Sequence, residues 1–126
     1  MNIVRNSIQT PDGTILVSRY RHDFVLHDDQ NGETYMIDGG LDYLRRSVNH
    51  ERATELSVYL EDGHECVRSA LEWGTYAMSA DQTLSWIKLK NMASAHIESC
   101  LLSTKRLHPT YKISFELELE YRALAY

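Results

Sequence analysis

"PTYKISFELELEYRAL", residues 109–124, can be written into either of two structures, and the choice decides the fold class. Ile113, Phe115, Leu117, Leu119 and Tyr121 alternate with Ser114, Glu116, Glu118 and Glu120, which is the period of a strand. Composition argues the other way. Glu and Leu are strong helix formers, Pro109 suits a first helical position, and three glutamates on one strand face would repel each other. Wound as a helix, the segment stacks Tyr111, Phe115 and Leu119 on one stripe, with Ile113, Leu117, Tyr121 and Leu124 beside it. We adopt the helix, which makes the chain an α+β protein ending in two helices.

The other C-terminal helix is expected over about 92–105, with Met92, Ala95, His96, Ser99 and Leu102 on one side and Ile97, Cys100 and Leu101 next to them. Upstream, the pattern turns to strands. Pro11, Asp12 and Gly13 stand in the order of a type I turn closed by a left-handed glycine, so 3–9 should pair with 14–20. "DDQNGE" (28–33) signals a second turn, folding the strand that ends near His27 back onto 33–38. Leu41, Leu44 and Val48 share a helical face and predict a short helix over 41–48. A brief strand at 56–60, a helix from Glu65 to about Leu71, and a second hairpin from 73–76 and 84–89 complete an antiparallel β-meander packed against a few helices.

At 126 residues the chain has the commonest size of one domain and can bury roughly two thirds of its unfolded surface, so a single domain, 1–126, is expected. Its formal charge of −5 argues against binding a phosphate backbone, and no specific DNA binding is expected. Cys66 and Cys100 sit in apolar periodic segments and read as reduced core residues. No apolar run has signal-peptide or membrane-spanning length, which predicts a cytosolic protein without membrane contact.

Polar side chains crowd "SRYRHDFVLHDD" (18–29). As a strand, this stretch splits its cluster, with Asp23, Val25 and His27 on one face and His22, Phe24 and Leu26 on the other. Asp23 and His27 would then lie about 13 Å apart. A metal site there would need His64 and Glu65 as further ligands, in the manner of a metal-dependent hydrolase. Arg19, Arg21, Arg45 and Arg46 could instead clamp the phosphates of a nucleotide signal. No nucleophile elbow, phosphate loop or paired Cys/His motif is present, so no catalytic residue and no cofactor is assigned. Tyr111, Phe115, Tyr121 and Tyr126 could present an aromatic contact surface near the C-terminus, and self-association is plausible.

Several stretches together, "IQTPDGT", "SRYRHDFVLHDDQNGETYMIDGGLDYLRR", "SVYLEDGHE", "WGTY", "LKNMASAHIESCLLS" and "ELEYR", resemble a family of small accessory proteins of tailed bacteriophages and prophages. The chain differs from that pattern at "AMSADQ" (77–82) and at Asn91. The resemblance implies helices for "NMASAHIESCLL" and for the "ELEYR" segment, and a place in the cytoplasm of an infected bacterial host. It carries no site residue over. With no catalytic signature, the leading expectation is a non-enzymatic protein that binds a host or phage protein, in counter-defence or host takeover.

Overall fold

The computed structural model describes residues 2–47, 50–75 and 83–124. It shows an α+β fold, an N-terminal antiparallel β region followed by helices, divided into two compact units, Met1–Glu61 and Asp62–Tyr126.

In the first unit, β1 (Ile3–Gln9) is the central strand, paired antiparallel with β2 (Ile15–Ser18) along Asn6↔Ser18 to Gln9↔Ile15. Its other edge takes β6 (Thr54–Glu55) and, past a register shift, β7 (Val58–Tyr59). With neighbours on both edges, β1 is buried on both faces: Ile3, Val4, Asn6, Ser7 and Ile8 are all buried, polar residues included. A second sheet has the order β3-β4-β5, from Val25–Asp28, Thr34–Asp38 and Arg45–Arg46. Ile8 and Leu16 of the first sheet pack on Tyr35 and Ile37 of the second, with Val25 and Ala53 against them. Within β3 the alternation holds: Val25 and His27 are half-buried, and Leu26 and Asp28 are exposed.

The two turns that close these hairpins have the same construction. Thr10 N–H donates to Thr14 O (2.8 Å) and Gly13 N–H to Thr10 O (2.9 Å); Asp29 N–H donates to Glu33 O (2.9 Å) and Gly32 N–H to Asp29 O (3.0 Å). Gly13 and Gly32 take φ of 93° and 84°, the left-handed position this turn needs.

The helix expected over 41–48 does not form in its described part. Residues 41 and 42 make a turn and Arg45–Arg46 continue the sheet, pairing with Asp38 and Ile37. The apolar spacing of Leu41 and Leu44 is overridden by a buried side chain: Asn6 Nδ2 donates to both Asp38 O (3.0 Å) and Tyr43 O (3.2 Å), fixing the backbone in a non-helical path.

The second unit pairs β8 (Glu72–Thr75) with β9 (Ser85–Lys88) as the expected hairpin; its connection, 76–82, lies outside the described residues. Around it lie α1 (His64–Ala70), α2 (Ser94–Ser103) and α3 (Pro109–Leu124). Val67, Leu71, Leu89, Met92, Ile97 and Phe115 form the core. Two expectations about faces are corrected. Cys66 is exposed while Cys100 is buried, because α1 turns Val67 and Ala70 inward and Cys66 stands one residue off that stripe. On α2 the inward stripe is Ile97 and Cys100, leaving Leu102 89% exposed.

The 109–124 segment is the helix adopted above, but its buried stripe is Thr110, Ser114, Phe115 and Glu118, and Ile113 and Leu117 face outward. Three polar residues thus sit where an amphipathic pattern would put apolar ones.

Candidate metal centre

Pro11 and Gly13 force the β1–β2 turn into a shape that leaves Asp12 at its tip with its carboxylate folded back on the chain. Asp12 Oδ1 accepts hydrogen bonds from Thr14 Oγ (2.6 Å), Thr10 Oγ (2.8 Å) and Thr14 N–H (3.0 Å). These donors, the Thr14 hydroxyl foremost, hold Asp12 far below the usual carboxylate range against the opposing effect of burial.

The other oxygen of Asp12 meets the second turn. Gln30 N–H donates to Asp12 Oδ2 (3.2 Å), and His27 Nε2, from the inner face of β3, lies 3.1 Å from the same atom. Asp29, the first residue of the β3–β4 turn, places Oδ1 3.3 Å from His27 Nε2. The hydrogen bond to Asp12, and then the charges of Asp12 and Asp29, raise the His27 pKa although burial lowers it. The side chain of Asp29 is 0% exposed, and neither of its oxygens has a hydrogen-bond partner. Burying a carboxylate with so few donors is costly, and the single proton His27 can carry on Nε2 faces two acids at once.

Asp12, His27 and Asp29 each offer one ligand atom, all within 4.8 Å of one another. Ligand atoms about 2.0–2.2 Å from a tetrahedral ion stand roughly 3.3–3.5 Å apart, close to the two separations seen at His27 Nε2. One imidazole and two carboxylates suit a divalent first-row ion such as zinc, manganese or iron; the imidazole disfavours calcium and magnesium, and the absence of thiolate from the set disfavours soft ions. An open cleft of ≈ 280 Å³ is lined by Pro11, Asp12, Asp29, Gln30 and Asn31.

Of the four metal-ligating residues expected from sequence, His27 alone enters this cluster. Asp23 closes a local turn, its Oδ2 accepting from Arg19 N–H (2.9 Å). His64 and Glu65 belong to the second unit, where His64 Nε2 contacts Glu118 (2.9 Å) and Glu65 accepts from the Tyr121 hydroxyl (2.6 Å). Asp12 and Asp29 were missed because each reads as an ordinary turn residue; only the shared type of the two turns hinted that their tips could meet. Arg21 is exposed, Arg45 reaches Asp38 at 3.7 Å, and Arg46, its side chain 9% exposed, is pinned to Glu55 and Ser57. Of the aromatic set, Phe115 is fully buried and Tyr111 donates to Glu72 O (2.6 Å), so both serve the interior of their unit. Tyr121 is half-buried, and Tyr126 lies outside the described residues.

Among the described residues no helix is long and apolar enough to cross a membrane. No family model, curated protein or solved structure matches the chain.

Proposed function

We propose that this is a metal-dependent protein whose first unit holds one divalent transition ion between Asp12 Oδ2, His27 Nε2 and Asp29 Oδ1. The observation that carries the reading is the carboxylate of Asp29, buried, without a hydrogen-bond donor, and aimed at the same nitrogen that Asp12 faces. A cation there would neutralise both acids and give the Asp29 carboxylate a partner besides His27 Nε2. Three protein ligands would leave room for a water, whose acidity a zinc ion held there would bring near neutrality. Hydrolysis of a substrate entering the cleft over Gln30 and Asn31 is the chemistry this arrangement suits.

Titration calorimetry on chelator-treated protein without a histidine tag tests the binding. We expect one equivalent of zinc or manganese to bind and to raise the melting temperature, as ligand linkage requires. Neither heat nor a thermal shift with zinc, manganese, iron or cobalt would leave the cluster as a plain ion triad. Chelator-reversible turnover of chromogenic esters and phosphodiesters, lost in Asp29→Asn, tests the hydrolytic step.

A second reading keeps the protein a phage accessory module that binds a host or phage protein. It is supported by three exposed apolar side chains, Tyr20 and Phe24 in the segment between β2 and β3 and Leu26 on β3, which are 57%, 51% and 58% exposed. Affinity purification with wild type and with Phe24→Ser/Leu26→Ser separates the readings: a partner lost in that variant favours the module, and no reproducible partner counts against it.

A further inference from the structure

We infer that Thr14 makes Asp12 a one-oxygen ligand and thereby sets which cations the centre accepts. The inference rests on the reading of Asp12, His27 and Asp29 as ligands. A carboxylate oxygen has two lone pairs. Oδ1 of Asp12 already receives donors from the Thr14 hydroxyl at 2.6 Å, the Thr10 hydroxyl at 2.8 Å and the Thr14 amide at 3.0 Å, so it is saturated. Oδ2 receives one amide, from Gln30 at 3.2 Å, and faces His27 Nε2 with its other side. The two oxygens of one side chain are therefore divided between the turn and the cluster.

This division acts on selectivity through coordination number. Calcium collects six to eight oxygens and commonly takes a carboxylate through both of them, whereas zinc and its neighbours take one oxygen at a short distance. With Oδ1 occupied, Asp12 cannot supply the second oxygen. The shortest of the three hydrogen bonds comes from the Thr14 side chain. It is a positioning residue, acting through Asp12. Thr10 assists from the opposite end of the same turn, where its amide pairs with Thr14 O at 2.8 Å.

The experiment compares wild type with Thr14→Val and Thr14→Ser by calorimetry with zinc alone and with calcium alone. Loss of a group that orients a ligand typically costs 10–100-fold in metal affinity, so we expect Thr14→Val to bind zinc about 10–100-fold more weakly. Calcium affinity should hold, because the Thr10 hydroxyl and the Thr14 amide still fill both lone pairs of Oδ1, so the zinc-to-calcium ratio narrows by at least about tenfold, while Thr14→Ser, which keeps the hydroxyl, stays near wild type. Thr14 is half-buried at a turn. Circular dichroism of the chelated variants verifies folding, and Thr14→Ala replaces the valine variant if that one misfolds. An unchanged ratio in the valine or alanine variant, or a serine variant as impaired as valine, overturns the inference while leaving the centre intact. Absence of zinc binding by wild type overturns the centre itself, and the inference with it.

Discussion

Arg68 grips the fully buried carboxylate of Glu118 with two parallel hydrogen bonds of 2.9 Å, Nε to Oε1 and Nη2 to Oε2. Arg122 Nε adds a third donor at 2.7 Å and His64 Nε2 stands 2.9 Å from Oε1. Arg122 continues to Ser94 Oγ (2.8 Å) and Leu89 O (3.1 Å), so one carboxylate ties α1, α2 and α3 together. This is how α3 buries a glutamate on its inner stripe: each oxygen of the carboxylate accepts from a guanidinium, Oε1 from Arg68 and Oε2 from both Arg68 and Arg122.

Glu118→Ala should therefore be among the most damaging single changes in the second unit. It leaves two guanidinium groups without their shared anion, and breaking a buried ion pair from one side costs about 3–5 kcal/mol. Urea unfolding followed by circular dichroism measures it, and a loss below about 1 kcal/mol would show that the arginines find other partners.

The same group gives the protein an acid-sensitive component. Despite burial, which pushes it upward, Glu118 is lowered from 4.5 to about 2 by its hydrogen bonds to Arg68, Arg122 and His64. A carboxylate whose folded pKa is depressed binds fewer protons than in the unfolded chain, so its contribution is complete above pH 4.5. That contribution is lost as the pH falls toward about 2. The size is on the order of 3 kcal/mol. Stability measured from pH 6 down to 2 should fall more steeply in wild type than in Glu118→Gln, and parallel curves would contradict the assignment.

Asp29→Asn should separate stability from metal binding. The amide removes a buried charge that lacks a donor, so in chelator the variant should melt at or above wild type, by a stabilisation of up to about 2 kcal/mol. Added zinc should raise the melting temperature of wild type and leave the variant where it was. A variant that melts well below wild type in chelator would mean that His27 already satisfies Asp29 as a protonated partner.

Phe115 packs edge-on against Trp73 at 5.4 Å between ring centroids and lies 5.7 Å from Tyr111. Phe115→Ala should cost about 3–5 kcal/mol through the cavity it leaves, and Phe115→Leu far less. Trp73 should report the difference by a red-shifted emission in the alanine variant; an unshifted spectrum with unchanged stability would place Phe115 outside the core of its unit.

Local sequence determined the elements whose cause is local. The two hairpins follow from "PDG" and "QNG", which supply the positive φ of their turns, and the three α-helices follow from apolar spacing and helix-forming composition. For 109–124, propensity defeated a strict alternation, because the alternating residues had no sheet in which to place a row of glutamates. Tertiary structure decided the rest. Residues 41–46 have a helical spacing, yet Asn6, far away in the chain, holds the Tyr43 carbonyl, and that of Asp38 just before the segment, in a non-helical path. The inward face of α3 depends on Arg68 and His64 of another helix being present to receive Glu118. Asp12, His27 and Asp29 come together because two hairpins stack with their turns in register, a relationship that no periodicity records: alternation assigns each residue a side of its own strand, and only packing determines which side chains of another strand it meets there.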